Sequence, residues 1–271
     1  MQRATAGLIA VAALLSACAG TPAALRPKAI QAAAPHAPGY LNGPLIRALA
    51  DATPPAPVTG SPLDQDDRAR SARFRALEDS DRWLLATAHA ELRPPLALRH
   101  FDCALGVGLG SATTPNLNRL MQRLFHDSDV AAELAKARSF RPRPVRDDSE
   151  RRPCQRINEA GRKSASYPSG SSAVATVYGE AFAALAPERA TEVRRTAHEM
   201  GLSRLVCGMH YPSDVAAGEV LGKAVFEAAS ATPGFDADLA AARAELTAAR
   251  ATGLTSPGCA AERRALATPL P

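Results

Sequence analysis

Residues 114–125 read Thr-Pro-Asn-Leu-Asn-Arg-Leu-Met-Gln-Arg-Leu-Phe, and this stretch carries the clearest structural signal in the chain. Thr114 is suited to cap a helix, and Pro115 is suited to its first position, because the N–H that proline lacks is not needed there. Apolar residues then recur at i, i+3, i+4, i+7 and i+8, namely Leu117, Leu120, Met121, Leu124 and Phe125. This spacing predicts an amphipathic helix that buries one face.

Helical patterns continue on both sides of this stretch. Upstream, an incomplete apolar stripe runs from Phe74 to Leu92. Downstream, helices are expected to start at Ser128, at Ser169 and at Ser213 or Asp214. Two more are expected to run from Thr191 to Cys207 and over residues 236–250. The chain has no apolar–polar alternation long enough to build a sheet, and it has no internal repeat. The sequence therefore predicts an all-α fold with a single helical-bundle domain over residues 64–251.

The flanks of this domain differ from it in composition. Nine prolines lie between Thr21 and Leu63, and proline interrupts helices. We therefore expect residues 18–63 to form an extended, proline-rich leader. Residues 252–271 are expected to be a loose C-terminal tail.

Composition limits the function classes. The chain has 271 residues, of which 46% are hydrophobic and 22% charged, and this balance excludes a chain that is disordered throughout. Its net charge of +5 is modest and gives no indication of a nucleic-acid partner. A local basic site could still hold an anion.

The N-terminus has the pattern of an export signal. Arg3 precedes a short apolar run over residues 8–15, which predicts a signal peptide over residues 1–17. The run ends in Leu15-Ser16-Ala17-Cys18, which resembles a bacterial lipoprotein cleavage box with Cys18 as the lipidated residue. We expect a periplasmic protein that meets the membrane only through a lipid anchor, in the outer membrane. Cleavage by the ordinary signal peptidase is the alternative.

Three clusters of residues each gather groups that can hold an oxyanion. They are Lys136 with Arg143-Pro144, then Tyr167-Pro168-Ser169-Gly170 at a helix start, then Ser203-Arg204 with His210 and Asp214. Arginine forks and a lysine ammonium bind phosphoryl oxygens, and a helix N-terminus adds free N–H groups. The neutral imidazole of His210 can attack phosphorus, and Asp214 could hold its other ring nitrogen.

Four cysteines follow Cys18, and an exported chain is expected to form disulfides from them. Three pairings are possible, and sequence alone does not choose among them. Pairing Cys154 with Cys207 would tie the second cluster to the third and would leave Cys103 with Cys259.

The clusters resemble the motifs of the phosphatidic acid phosphatase type 2 (PAP2) and vanadium haloperoxidase superfamily, and in particular those of bacterial class A non-specific acid phosphatases. Those motifs read Lys-x6-Arg-Pro, Pro-Ser-Gly-His and Ser-Arg-x5-His-x3-Asp, and the first and third match at every named position. The resemblance extends over residues 64–230. It implies an α-helical bundle that releases phosphate from small phosphate monoesters without a metal or other cofactor. It also implies a phosphate-binding set of Lys136, Arg143, Ser169, Gly170 and Arg204, with His210 as nucleophile and Asp214 as its partner.

The second motif departs from the family at one position. Ser171 occupies the place of the histidine that the family uses as general acid, and a serine hydroxyl is too weak an acid for that role. The expected result is a slower phosphatase, and the alternative is a phosphate-binding lipoprotein without turnover. Haloperoxidase chemistry is a third interpretation, and Ser171 counts against it equally. Four further arginines, Arg138, Arg141, Arg151 and Arg152, are expected to be surface charges.

Overall fold

The computed structural model describes residues 38–271, and every regular element in that range is helical. Its twelve α-helices are α1 (Gly43–Ala52), α2 (Pro62–Arg73), α3 (Asp81–Ala88), α4 (Asp102–Leu105), α5 (Pro115–Arg138), α6 (Pro144–Asp147), α7 (Glu159–Lys163), α8 (Gly170–Leu185), α9 (Ala190–Val206), α10 (Pro212–Ser230), α11 (Phe235–Ala251) and α12 (Cys259–Leu266). Short 3-10 segments lie at Phe74–Leu77, Leu96–Phe101, Leu109–Ser111 and Pro187–Arg189. The predicted all-α class is confirmed.

Helix α8 forms the centre of the core. It is rich in alanine and valine, most of its residues are buried, and it packs against α5, α9 and α10. Two glycines let α10 approach it closely. A Cβ atom at Gly218 would lie 2.3 Å from the carbonyl oxygen of Ser169, and one at Gly222 would lie 2.3 Å from that of Ala173. This close contact fixes the N-terminus of α8 against the first half of α10.

Helix α5 is longer than the sequence pattern predicts. The expected break at Ser128 does not occur, and Pro115–Arg138 is one continuous helix. Ser128 is buried inside it. The neighbouring Asp127 is also buried, and its carboxylate accepts hydrogen bonds from the backbone N–H groups of Tyr40 (2.7 Å) and Leu41 (3.2 Å). The polar residues around Ser128 resemble a helix start in the sequence. In the fold, Asp127 is instead used for a tertiary contact with residues 40–41, and the helix continues through this point.

The predicted leader boundary at residue 63 is wrong. Helix α1 begins after Asn42, whose side chain accepts a hydrogen bond from the N–H of Leu45 at 3.0 Å. Its residues Ile46 and Ala50 are buried, and the helix packs against α5. Prolines open both α1 and α2, at the one part of a helix that tolerates them. Two of the prolines that suggested an extended leader therefore lie at helix starts. The packed domain extends upstream to residue 38.

The predicted loose tail is also wrong. Helix α12 lies within it and packs against α3. A disulfide joins Cys103 to Cys259, with an S–S distance of 2.01 Å. The backbone N–H of Gly108 also donates to the carbonyl of Leu254 at 2.8 Å. The second disulfide joins Cys154 to Cys207, so the suggested pairing is confirmed.

The predicted signal peptide over residues 1–17, Cys18 and the leader up to residue 37 lie outside the described residues. Within residues 38–271, no helix combines the length and apolar character that crossing a membrane requires.

Candidate active site

The three sequence clusters converge around the N-terminus of α8. Lys136 lies in the last turn of α5, and Arg143 precedes α6. Ser169 caps α8, and Gly170 and Ser171 are its first two residues. Arg204 lies in the last turn of α9, and the short connection from α9 to α10 carries His210.

The chain turns sharply after α9 to place His210. Gly208 has φ +65°, a conformation that side chains disfavour, and a Cβ atom there would lie 2.5 Å from Nε of Arg151. The turn buries the imidazole, which is 2% exposed. Its Nδ1 lies 2.8 Å from the carbonyl oxygen of Ser166. Because a carbonyl oxygen only accepts, we assign the ring proton to Nδ1, which leaves a lone pair on Nε2.

The Nε2 atom faces a cation. It lies 3.2 Å from Nη1 of Arg143, which donates to it. Burial lowers the pKa of His210 to about 3, and the nearby positive charge of Arg143 acts in the same direction. The imidazole is therefore neutral, and available as a nucleophile, through the acid range down to about pH 3.

Asp214 does not hold the imidazole in the way the sequence predicts. Its Oδ2 lies 3.8 Å from Nδ1 of His210, which is beyond hydrogen-bond distance. Oδ2 instead accepts hydrogen bonds from the hydroxyl of Ser166 and from the N–H of Tyr211. Asp214 thus fixes Ser166, and the carbonyl of Ser166 orients the ring. Burial raises the pKa of Asp214, but contacts with His210, Arg141 and Ser166 outweigh burial and hold that pKa below its usual value.

Arg141 is a buried part of the site, so its prediction as a surface charge is wrong. Its guanidinium pairs with Asp214 at 2.7 Å, Asp64 at 2.8 Å and Asp67 at 2.9 Å. It also lies 4.1 Å from the centre of the Tyr211 ring. Three carboxylates around one arginine fix the start of α10 to α2.

Arg151 is likewise buried, contrary to its prediction. It donates to the backbone carbonyls of Ser71 (2.9 Å) and Leu205 (2.7 Å). Arg138 and Arg152 are exposed, as predicted, with 46% and 53% of their side-chain surface accessible. Lone arginines give no sequence signal that separates these two outcomes.

Arg143 and Arg204 are buried cations that lack carboxylate partners within the described chain. Arg143 donates to the Met209 carbonyl at 2.8 Å and to the Ser164 hydroxyl at 3.0 Å. Arg204 donates to the side-chain oxygen of Gln155 at 3.2 Å, and its Nε has no partner. Burial, together with the charge of Arg143, lowers the pKa of Arg204 to about 10, so both guanidinium groups remain charged at acid pH. Two uncompensated buried cations favour an anionic ligand.

The remaining predicted phosphate ligands lie at the start of α8. A Cβ atom on Gly170 would lie 3.4 Å from Nζ of Lys136, which places that ammonium beside the helix N-terminus. The Ser169 hydroxyl accepts hydrogen bonds from the N–H (3.2 Å) and hydroxyl (2.9 Å) of Ser172, so it serves as the helix cap. The N–H of Ser169 donates to the backbone carbonyl of Asp214 at 2.9 Å, which joins this helix start to α10.

A polar cavity of about 290 Å³ opens at this point. Four predicted site residues line it, namely Lys136, Gly170, Ser171 and Arg204. Gln155, Glu91 and Asp129 line it as well. His210, Arg143 and Ser169 are buried and do not line it, and Arg143 lies near enough to Arg204 to lower the pKa of that guanidinium.

Sequence reasoning missed three residues of the site. Ser166 and Arg141 belong to no recognisable spacing, and only the fold brings them to His210 and Asp214. Gln155 had a usable signal. It follows Cys154, and the suggested disulfide with Cys207 would have placed it beside Arg204.

A buried neutral imidazole next to unpaired cations and a helix N-terminus defines a site for phosphoryl or related oxyanions in a helical bundle. Comparisons agree with this class. The PAP2 superfamily matches residues 126–234, a span that contains all three motifs. An acid phosphatase from Zymomonas mobilis is 33% identical over 201 residues, which cover 74% of this chain and 76% of the relative. A non-specific acid phosphatase from Salmonella typhi is 32% identical and covers 71% of this chain and 78% of the relative.

One solved structure is also similar, that of a transmembrane PAP2-type phosphatidylglycerolphosphate phosphatase from Bacillus subtilis. It shares 21% identity with a TM-score of 0.45, over 71% of this chain and 92% of its own. On the strength of the sequence relatives, the chain belongs to the PAP2 superfamily and, within it, groups with the non-specific acid phosphatases.

Proposed function

We propose that this phosphatase hydrolyses small phosphate monoesters through a phosphohistidine intermediate on His210. One observation carries the proposal. Nδ1 of the buried ring lies 2.8 Å from the Ser166 carbonyl, so Nε2 keeps its lone pair and faces Arg143. The curated relatives named acid phosphatases support the substrate class.

In the first step, Nε2 of His210 attacks phosphorus as the bond from phosphorus to the ester oxygen breaks. The guanidinium groups of Arg143 and Arg204 and the ammonium of Lys136 stabilise the negative charge on the phosphoryl oxygens. The Nδ1–H group donates to the Ser166 carbonyl throughout, and this bond stabilises the positive charge that the ring acquires. Asp214 acts on the ring indirectly, because it accepts a hydrogen bond from the Ser166 hydroxyl and so fixes the residue whose carbonyl orients the ring.

In the second step, water attacks the phosphohistidine. The P–N bond breaks, inorganic phosphate leaves, and the neutral ring returns. Splitting the displacement into two steps replaces one difficult reaction by two easier ones.

Ser171 makes the first step sensitive to the leaving group. An alkoxide needs a proton as it leaves, and general acid catalysis typically contributes about 10²- to 10⁴-fold. Aryl phosphates need less protonation and are therefore expected to be the better substrates. Ser171→His tests this point: a rise on alkyl but not on aryl phosphates shows that no other group supplies the proton in the parent protein, and an unchanged ratio shows that another group does.

The decisive experiment is hydrolysis of p-nitrophenyl phosphate by the protein from residue 38 onward with and without His210→Ala. We expect turnover in the parent protein and its loss in the variant, with inorganic phosphate binding retained. His198→Ala is the matched control, since His198 is half exposed and pairs with Glu219 of α10. Equal turnover in His210→Ala and the parent would contradict the role of this imidazole.

Phosphate binding without turnover is the second candidate, and the serine at position 171 is the observation that favours it. Inorganic phosphate or vanadate binding together with no release of p-nitrophenol would decide for this alternative.

We also propose that the protein is exported and carries a lipid on Cys18. The sequence of residues 1–18 and the two disulfides support this, because disulfides persist in oxidising compartments. In a bacterial host, Cys18→Ser should move the protein from the membrane fraction to the soluble periplasmic fraction. A parent protein already found in the soluble fraction would contradict lipidation.

A further inference from the structure

The cavity leaves one chemical requirement unmet. Ser171 lines it at the position where a proton donor is needed, and serine does not supply a proton in the acid range. Lys136, Arg93 and Arg204 line the cavity with cationic side chains that suit the binding of phosphoryl oxygens. Within residues 38–271, the carboxyl groups that line it are those of Glu91 and Asp129.

Asp129 stands on the same ridge of α5 as Lys136. The two are seven residues apart, which is two helical turns and about 10 Å along the axis. The Lys136 side chain leans toward the N-terminus of the helix, as its ion pair with Glu133 shows. The lysine ammonium therefore lies between its own Cα atom and Asp129. Asp129 and Lys136 line the same cavity, so a phosphoryl group held by the ammonium shares that cavity with the Asp129 carboxyl.

The two carboxyl groups differ in their bonding. Glu91 accepts a hydrogen bond from the N–H of Arg93 at 2.8 Å. Within residues 38–271, Asp129 makes no hydrogen bond and no ion pair, so its carboxyl is not committed to another protein group. Asp129 is exposed to solvent and also lines the cavity, so water can exchange a proton with its carboxyl.

The charges around Asp129 come from three parts of the chain. Burial of part of the carboxyl raises its pKa, and the negative charge of Glu133 acts in the same direction. Lys136, Arg93 and His126 oppose them with a smaller combined effect. Tyr178 of α8 is a neutral neighbour whose own pKa is raised well above its usual value. The carboxyl of Asp129 thus retains its proton to a higher pH than an ordinary aspartate.

We propose that Asp129 donates the proton to the leaving group, in place of the histidine that is absent at position 171. This inference rests on the proposed function. As the His210–phosphorus bond forms, the P–O bond breaks, its electron pair passes to the ester oxygen, and that oxygen takes the proton of the Asp129 carboxyl. In the second step the carboxylate takes a proton from the attacking water, which restores the acid.

The test compares kcat/KM for an alkyl phosphate and for p-nitrophenyl phosphate in Asp129→Asn. We expect a loss of about 10²-fold or more on the alkyl phosphate, which is the low end of general acid catalysis, and a loss below about threefold on the aryl phosphate. Adding Ser171→His to Asp129→Asn should restore alkyl phosphate hydrolysis, because it supplies a second acid at the cavity. Glu91→Gln is the matched control, and it should keep the alkyl-to-aryl ratio of the parent.

A second measurement needs no variant. In the parent protein, alkyl phosphate hydrolysis should fall with rising pH, as Asp129 loses its proton, more steeply than aryl phosphate hydrolysis. Equal losses on both substrates in Asp129→Asn, no loss on either, or a changed ratio in Glu91→Gln would overturn the assignment. If only the role of Asp129 is wrong, His210→Ala is still inactive. If the proposed function itself is wrong, His210→Ala is active or the parent protein is inactive.

Discussion

Replacing His210 by asparagine should change how the stability of the protein depends on pH. The asparagine amide can still donate to the Ser166 carbonyl, but it cannot bind a proton. In the folded chain the pKa of His210 is lowered to about 3, chiefly by burial and then by Arg143. In the unfolded chain it is about 6.5. Below pH 6.5 the unfolded chain therefore binds a proton at this position and the folded chain does not. The contribution of His210 to the free energy of unfolding is therefore fully present above pH 6.5 and is lost progressively as the pH falls toward 3.

The size of this effect follows from the two pKa values. Each pH unit between them contributes about 1.4 kcal/mol, so the two units from pH 6.5 to pH 4.5 contribute about 3 kcal/mol. The parent protein should lose about that much more unfolding free energy than His210→Asn when the pH changes from 7 to 4.5. His89 is buried with a lowered pKa of its own and is present in both proteins, so its contribution cancels.

Urea unfolding at the two pH values, with the disulfides intact, measures the difference. His198→Asn is a control of opposite sign. The hydrogen bond to Glu219 raises the pKa of His198, so its contribution to stability is present at low pH and is lost as the pH rises through the folded pKa. Equal losses in His210→Asn and the parent protein would refute a buried, neutral His210.

Three further changes test the parts of the fold that position the site. Arg141→Met leaves the buried carboxylates of Asp67 and Asp214 without their cation and should lower the free energy of unfolding by about 3–5 kcal/mol in denaturant titrations. Gly218→Ala places a methyl group 2.3 Å from the Ser169 carbonyl and should cost about 1–3 kcal/mol and lower kcat, whereas Gly43→Ala meets no atom within 4 Å and should do neither. Cys154→Ser opens the disulfide beside the Arg204 guanidinium, and it should cost about 2–5 kcal/mol and raise KM for p-nitrophenyl phosphate.

The sequence predicts the helices well where periodicity and caps agree. Ser169 does cap α8, α9 and α11 begin and end within a few residues of their predicted bounds, and α10 begins within two residues of its predicted start. It fails where tertiary contacts override local signals. Ser128 sits inside a helix although it resembles a cap, and the prolines of the leader open helices that pack into the core.

The candidate site divides in the same way. Fixed spacing singles out Lys136 and Arg204, and the fold does bring both to one cavity. Their role as phosphate ligands, and that of His210 as nucleophile, stay predictions. Spacing gives the wrong contact for Asp214, since four residues along the chain bring its carboxylate only to 3.8 Å from the ring. The carbonyl that orients the ring belongs to Ser166. Every residue type has a backbone carbonyl, so the sequence does not show which one is used.

Trapping the covalent intermediate tests the central claim most directly. The protein is mixed with p-nitrophenyl phosphate, quenched in base to preserve a phosphoramidate bond, digested and sequenced by mass spectrometry. We expect a phosphoryl group on His210 that forms at least as fast as turnover and is absent from His210→Asn. Steady release of p-nitrophenol with an unmodified His210, or with the phosphoryl group on another residue, would contradict it.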